Sequence, residues 1–102
     1  MVDIKTEGNE AVISVINTDR ITVSNASELK SSMLDAINEK KLNVIIDLGS
    51  IRYIDSTAIS VLISGVKASR INGSSFKLRN LQPEVMRLLS LMKIDQIMDI
   101  EK

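Results

Sequence analysis

Apolar positions along the chain recur with two spacings, one of strand type and one of helix type, and the two alternate. Val2–Thr6 and Ala11–Ile16 read as short strands separated by Glu7-Gly8-Asn9-Glu10, whose Gly-Asn pair is a hairpin signal. Alternation in Val12, Ser14 and Ile16 predicts that the second strand is half-buried. Ser24 or Asn25 can then cap a helix over Ala26–Lys40, in which Ala26, Leu29, Met33, Ala36 and Ile37 make one apolar stripe. Asn43–Leu48, "NVIIDL", is a β-branched run of the kind found in strands covered on both faces, with Asp47 near its carboxyl end. Ile59, Leu62, Ile63 and Val66 predict a second helix reaching to about Arg70, and Asn72-Gly73 stops it. Ser75–Arg79 reads as a strand, and Pro83 opens a helix where a missing amide costs nothing. Val85, Leu88, Leu89 and Met92 form the inner stripe of that helix, and Ile97–Ile100 is an expected final edge strand.

Strands alternating with helices predict an α/β fold: one small domain over residues 1–102, with a mostly parallel sheet of four to five strands. The sheet begins with an antiparallel hairpin, and helices pack on it. Functional surfaces of open α/β sheets gather beyond the carboxyl ends of the strands. Asp47 and the Asp55-Ser56-Thr57 turn both belong to that end.

Composition narrows the chemistry. Thirteen Lys and Arg balance thirteen Asp and Glu, and aromatics are limited to Tyr53 and Phe76. Neither an electrostatic grip on nucleic acid or membrane nor a base-stacking platform is encoded. With no Cys there is no thiolate catalysis or zinc-thiolate site, and with no His the usual base of a serine hydrolase is missing. The four Gly, at 8, 49, 65 and 73, are too scattered for a phosphate loop. No apolar run approaches the roughly 18 residues of a membrane span, and the start lacks a basic, then apolar, signal pattern. The expected setting is the cytoplasm, and the expected role is non-enzymatic, with no cofactor and no metal. Met33, Met86, Met92 and Met98 are read as core fillers.

The stretch "IRYIDSTAIS" then poses a choice. Asp and Ser are both preferred at helix N-caps, so local sequence favours a structural role for Ser56. The same helix start carries positive potential, which suits an added phosphate and would let a phosphoserine change docking without melting the helix. A strand-ending Asp47 also raises a receiver-like domain with an aspartyl phosphate, but such a site needs clustered carboxylates for a divalent cation, and the first strand supplies no acidic pair.

"VIIDLGSIRYIDSTAISVLISGVKAS" resembles the central signature of the STAS domain, and more specifically of the stand-alone bacterial anti-sigma factor antagonists. "GSSFKLRNLQPEVMRLLSLMKIDQIM" is similar to the family's later strand, Pro-initiated helix and closing segment. The resemblance implies that Ser56 is phosphorylated by an anti-sigma factor that is also a serine kinase. It implies further that the unphosphorylated form binds that factor, and that a serine phosphatase resets the cycle. ATP and metal would belong to the kinase. By the same resemblance, Asp55, Thr57, Asp19, Thr22, Ser24, Asn25 and Ile59 are expected at the partner-binding surface, on a monomer or weak homodimer. The family's Gly-Glu-apolar-Asp is replaced here by Asp19-Arg20-Ile21-Thr22, which reverses a charge at Arg20. The alternative use of the same fold is a scaffold or regulatory subunit of another signalling assembly.

Overall fold

The computed structural model describes residues 1–101. Strand β1 (Val2–Glu7) pairs antiparallel with β2 (Glu10–Val15) through a two-residue turn in which Gly8 takes a φ of 60°. A side chain there would meet the left-handed penalty that Gly avoids. Strand β3 is only Arg20–Ile21. Helix α1 (Ala26–Leu34) runs into a π turn at Asp35–Glu39, and then come β4 (Asn43–Asp47) and the two-residue β5 (Tyr53–Ile54). Helix α2 (Ser56–Asn72), β6 (Phe76–Arg79) and α3 (Pro83–Leu91) follow. A 3-10 turn at Ile94–Gln96 leads to β7 (Asp99–Ile100).

The main sheet has the order β1-β2-β4-β6-β7, and every pair after the hairpin is parallel. β3 and β5 form a separate two-stranded parallel sheet. The α/β architecture with its opening hairpin is therefore as expected.

Several local expectations need correction. The face of β2 turned to the core carries Ala11, Ile13 and Val15, whereas Val12 and Ser14 are half-buried and Ile16 is exposed. Both faces of that strand hold apolar residues, so alternation alone left the inward set undecided. β4 is not covered by helices on both faces. Val44 and Ile46 point into the core with Phe76 and Leu78, but Ile45 lies outside that cluster on the opposite face. It is buried there between Val12 and Lys77, its register partners on either side. A Lys stem can shield an apolar neighbour while its ammonium stays in water.

The first helix keeps its predicted stripe, with Ala26, Leu29, Met33, Ala36 and Ile37 all buried, although its last turn widens to a π turn. Gly73 ends α2 at φ 68°, and Pro83 occupies the first turn of α3, both as the sequence predicts. Met33 and Met98 fill the core, but Met92 is 49% exposed because α3 ends at Leu91 and its stripe is not continued.

Candidate functional site

The site is built around the amino end of α2. Asp55 is the N-cap: its backbone is extended and its Oδ1 accepts from the Ala58 amide at 3.0 Å. Ser56 is therefore the first helical residue, not the cap, and its side chain is exposed. The capping task and the free hydroxyl belong to adjacent residues. Local sequence, which favoured a capping role for Ser56, could not separate the two.

Asp55 also ties this helix to a distant loop. Its second carboxylate oxygen accepts from the Val23 amide at 3.0 Å, so one side chain holds the start of α2 against the turn that precedes α1. The Ala58 amide most strongly, and then the Val23 amide, hold the Asp55 carboxyl below its ordinary value of 3.8, while desolvation pulls the other way. A lowered folded pKa means that the native state releases its proton more readily than the unfolded chain. The stabilisation is therefore present above about pH 3.8 and disappears as pH falls through the folded value. Asp55→Asn keeps an acceptor for Ala58 but offers no second oxygen to Val23 and does not titrate. In chemical unfolding at pH 7 the variant should be the less stable. At pH 3 the gap should shrink, and a gap that stays constant would contradict this account.

The loop facing α2 is organised by backbone bonds. The Asp19 carbonyl accepts from the amides of Arg52 (2.7 Å) and Tyr53 (3.2 Å), and the Ile21 carbonyl accepts from Asp55 (3.2 Å). These bonds join β3 to β5. Asn25 occupies the N-cap position of α1 but does not cap it. Its side chain turns back, accepting from the Thr22 amide (2.9 Å) and donating to the Arg20 carbonyl (3.0 Å). The hydroxyls of Thr22 and Ser24 pair at 2.9 Å. Short polar side chains here close a turn that would otherwise leave its amides unpaired.

The structure thus brings Asp19, Thr22, Ser24, Asn25 and Asp55 into one hydrogen-bonded unit beside Ser56 and Thr57. Ile59 does not belong to the accessible part. It is 6% exposed and packs in the core, where its place in the α2 stripe puts it. The residues absent from the expected surface are Val23 and Tyr53, which lie beside Arg20, the position of the reversed charge. Val23 is 74% exposed and Tyr53 54%. The Arg20 guanidinium lies over the Tyr53 ring, 5.8 Å from its centre, in cation–π range. The available signal was an aromatic between Arg52 and Ile54, just before the Asp-Ser-Thr turn.

Asp47 is occupied otherwise. Its Oδ1 accepts from the Gly49 amide (2.9 Å) and its Oδ2 from the Asn80 side chain (3.0 Å), so it fastens two loops. Among the described residues no three acidic side chains gather into a cation-holding group. No helix among them is long and apolar enough to cross a membrane.

Comparison with known proteins bears on the family and the fold. The family model of the STAS domain matches residues 3–102. The anti-sigma-B factor antagonist of Bacillus subtilis is 28% identical over 99 residues, which make up 97% of this chain and 88% of the relative. An anti-sigma-factor antagonist domain protein from Planctomyces limnophilus has a similar structure, with TM-score 0.86 at 22% identity over 97% of this chain and 87% of that one. The Bacillus cell fate determinant SpoIIAA in its phosphorylated form is also similar, with TM-score 0.76 at 10% identity, covering 100% of this chain and 92% of that one.

Proposed function

Because the chain belongs to the STAS domain family, we propose that it is an anti-sigma factor antagonist: a cytoplasmic, non-catalytic regulator switched by phosphorylation of Ser56. The observation that carries this reading is the exposed Ser56 at the first position of α2, with capping left to Asp55. The relationship to an anti-sigma-B factor antagonist supports the choice of partner, and the existence of a phosphorylated SpoIIAA supports the choice of chemistry.

In this reading the unphosphorylated face, formed by the α2 start and the Thr18–Asn25 loop, docks an anti-sigma factor that is also a serine kinase. The Ser56 oxygen attacks the γ-phosphorus of the kinase's ATP, the bond to the bridging oxygen breaks, ADP leaves and the hydroxyl proton passes to the kinase. The phosphoserine then carries about −2 charge beside the amides of the first turn, which the helix tolerates and the docked partner does not. A serine phosphatase restores the hydroxyl.

The test is direct. The chain and its Ser56→Ala variant are incubated with the kinase and ATP-magnesium, and intact mass is read. One phosphate on the parent and none on the variant supports the proposal. An unlabelled parent, or a variant labelled equally, overturns it.

A second reading, a constitutive scaffold of another signalling assembly, is favoured by one feature: the exposed Arg20 where antagonists of the resembling family carry Glu. A stable partner indifferent to every Ser56 substitution would select that reading.

A further inference from the structure

Strand β1 is the outer strand of the main sheet, and its free edge has a definite pattern. The Ile16 amide donates to the Met1 carbonyl, and the β1–β2 register then alternates bonded and unbonded pairs. Asp3, Lys5 and Glu7 consequently spend their amides and carbonyls on β2. Val2, Ile4 and Thr6 aim theirs outward, and no hydrogen bond among the described residues uses them. Ile4 is also 47% exposed on the core side of the strand, beyond the shelter its neighbour Ile13 enjoys.

An antiparallel partner at this edge must place its own outward-bonding residues opposite Val2, Ile4 and Thr6. A second copy of β1 meets that demand when Ile4 faces Ile4, Val2 faces Thr6 and Asp3 faces Lys5. In that register all three outward-facing residues are bonded. The two Ile4 side chains meet on one face, and two Asp–Lys pairs form on the other at the unbonded positions, where side chains approach most closely. Shifting the register by two residues one way opposes Asp3 to Asp3. Shifting it the other way opposes Lys5 to Lys5 and Asp3 to Glu7. One-residue shifts set outward-bonding residues against inward-bonding ones. A four-residue shift, with Thr6 facing Thr6 and Lys5 facing Glu7, also matches charge but leaves Val2 and Ile4 without strand partners. The Ile4-centred register alone bonds all three outward residues with charge satisfied.

We propose that β1 is a homodimerisation edge, pairing antiparallel with β1 of a second copy about a two-fold axis through Ile4. The two main sheets then form one continuous sheet. The inference stands on β1 alone and does not depend on the role of Ser56. A single strand pair covers little surface, so the dimer is weak, with a dissociation constant on the order of 10–100 µM.

Sedimentation velocity over a concentration series, with thermal melts to confirm folding, tests the proposal through a charge swap. Lys5→Asp alone, or Asp3→Lys alone, should raise the dissociation constant at least about tenfold, since two attractive pairs become repulsive. Asp3→Lys combined with Lys5→Asp should restore the parent value within about threefold. Thr6→Pro, which removes only an outward amide, should weaken the dimer without altering β2 pairing. A parent that stays monomeric to about 1 mM, a single reversal that dimerises like the parent, or a swap that restores nothing would each overturn the proposal.

Discussion

Ser56→Asp is expected to weaken binding of the anti-sigma partner by about a hundredfold while moving the melting temperature by no more than about 3 °C. The two halves of this result have separate causes. The side chain of residue 56 is exposed at the first turn of α2, and the Asp55 cap makes its bonds without it. An acidic group at that position is favoured by the unpaired amides and disfavoured by the adjacent Asp55 carboxylate. The net effect on folding is small. In the docked complex the same charge sits in a desolvated surface without a counter-ion, a situation that commonly costs 2–5 kcal/mol or more. Ser56→Ala should bind within about threefold of the parent, because it removes a hydroxyl and adds no charge. Titration calorimetry with the partner and a parallel thermal melt distinguish these outcomes. Equal affinity for the parent and Ser56→Asp would remove the charge mechanism.

The largest expected effect on stability belongs to Gly65. This residue faces the interior from α2, and a Cβ built there would touch the Phe76 ring, lying 2.6 Å from Cζ, and would lie 2.8 Å from the Met33 sulfur. Both neighbours are buried and have little room to withdraw. Gly65→Val should therefore destabilise the fold by about 3 kcal/mol, an overpacking cost that the small helix-propensity advantage of Val over Gly does not offset. For a domain of this size that corresponds to a fall in melting temperature of roughly 12–24 °C. Gly65→Ala should cost less than half as much, because replacing Gly in a helix returns about 1 kcal/mol. Pairing Gly65→Ala with Phe76→Leu should give less than the sum of the two single effects, since Leu removes the ring atoms that the new methyl meets. Strict additivity in chemical unfolding would show that the close approach is not the cause.

The parts of the molecule that sequence made visible are those set by local chemistry. Gly8 turns the hairpin, Gly73 closes α2 with a positive φ, and Pro83 starts α3; each acts through its own backbone. Periodicity placed the α1 and α2 stripes for the same reason, since it needs no knowledge of the partner element. What escaped was non-local. β3 and β5 are two residues each, too short for any period, and exist because Asp19 and Ile21 meet amides more than thirty positions away. The inward face of β2 and the shielding of Ile45 depended on neighbouring strands. At the site, the Asp-Ser-Thr turn was legible, but the division of labour inside it was not. Asp55 caps α2 with one oxygen and accepts from the distant Val23 amide with the other, and that second contact is invisible to local sequence.

The bonds that position the Thr18–Asn25 loop beside α2 run mainly through main-chain carbonyls of Asp19 and Ile21, which any residue at those positions supplies. The outward side chains of Asp19 and Arg20 can therefore drift without relocating the hydroxyl of Ser56. Evolution is left with an address fixed by the chain's skeleton and a password written in replaceable letters. In duplicated copies of such a gene, new allegiances arise by rewriting a few surface positions while the Ser56 oxygen keeps its place.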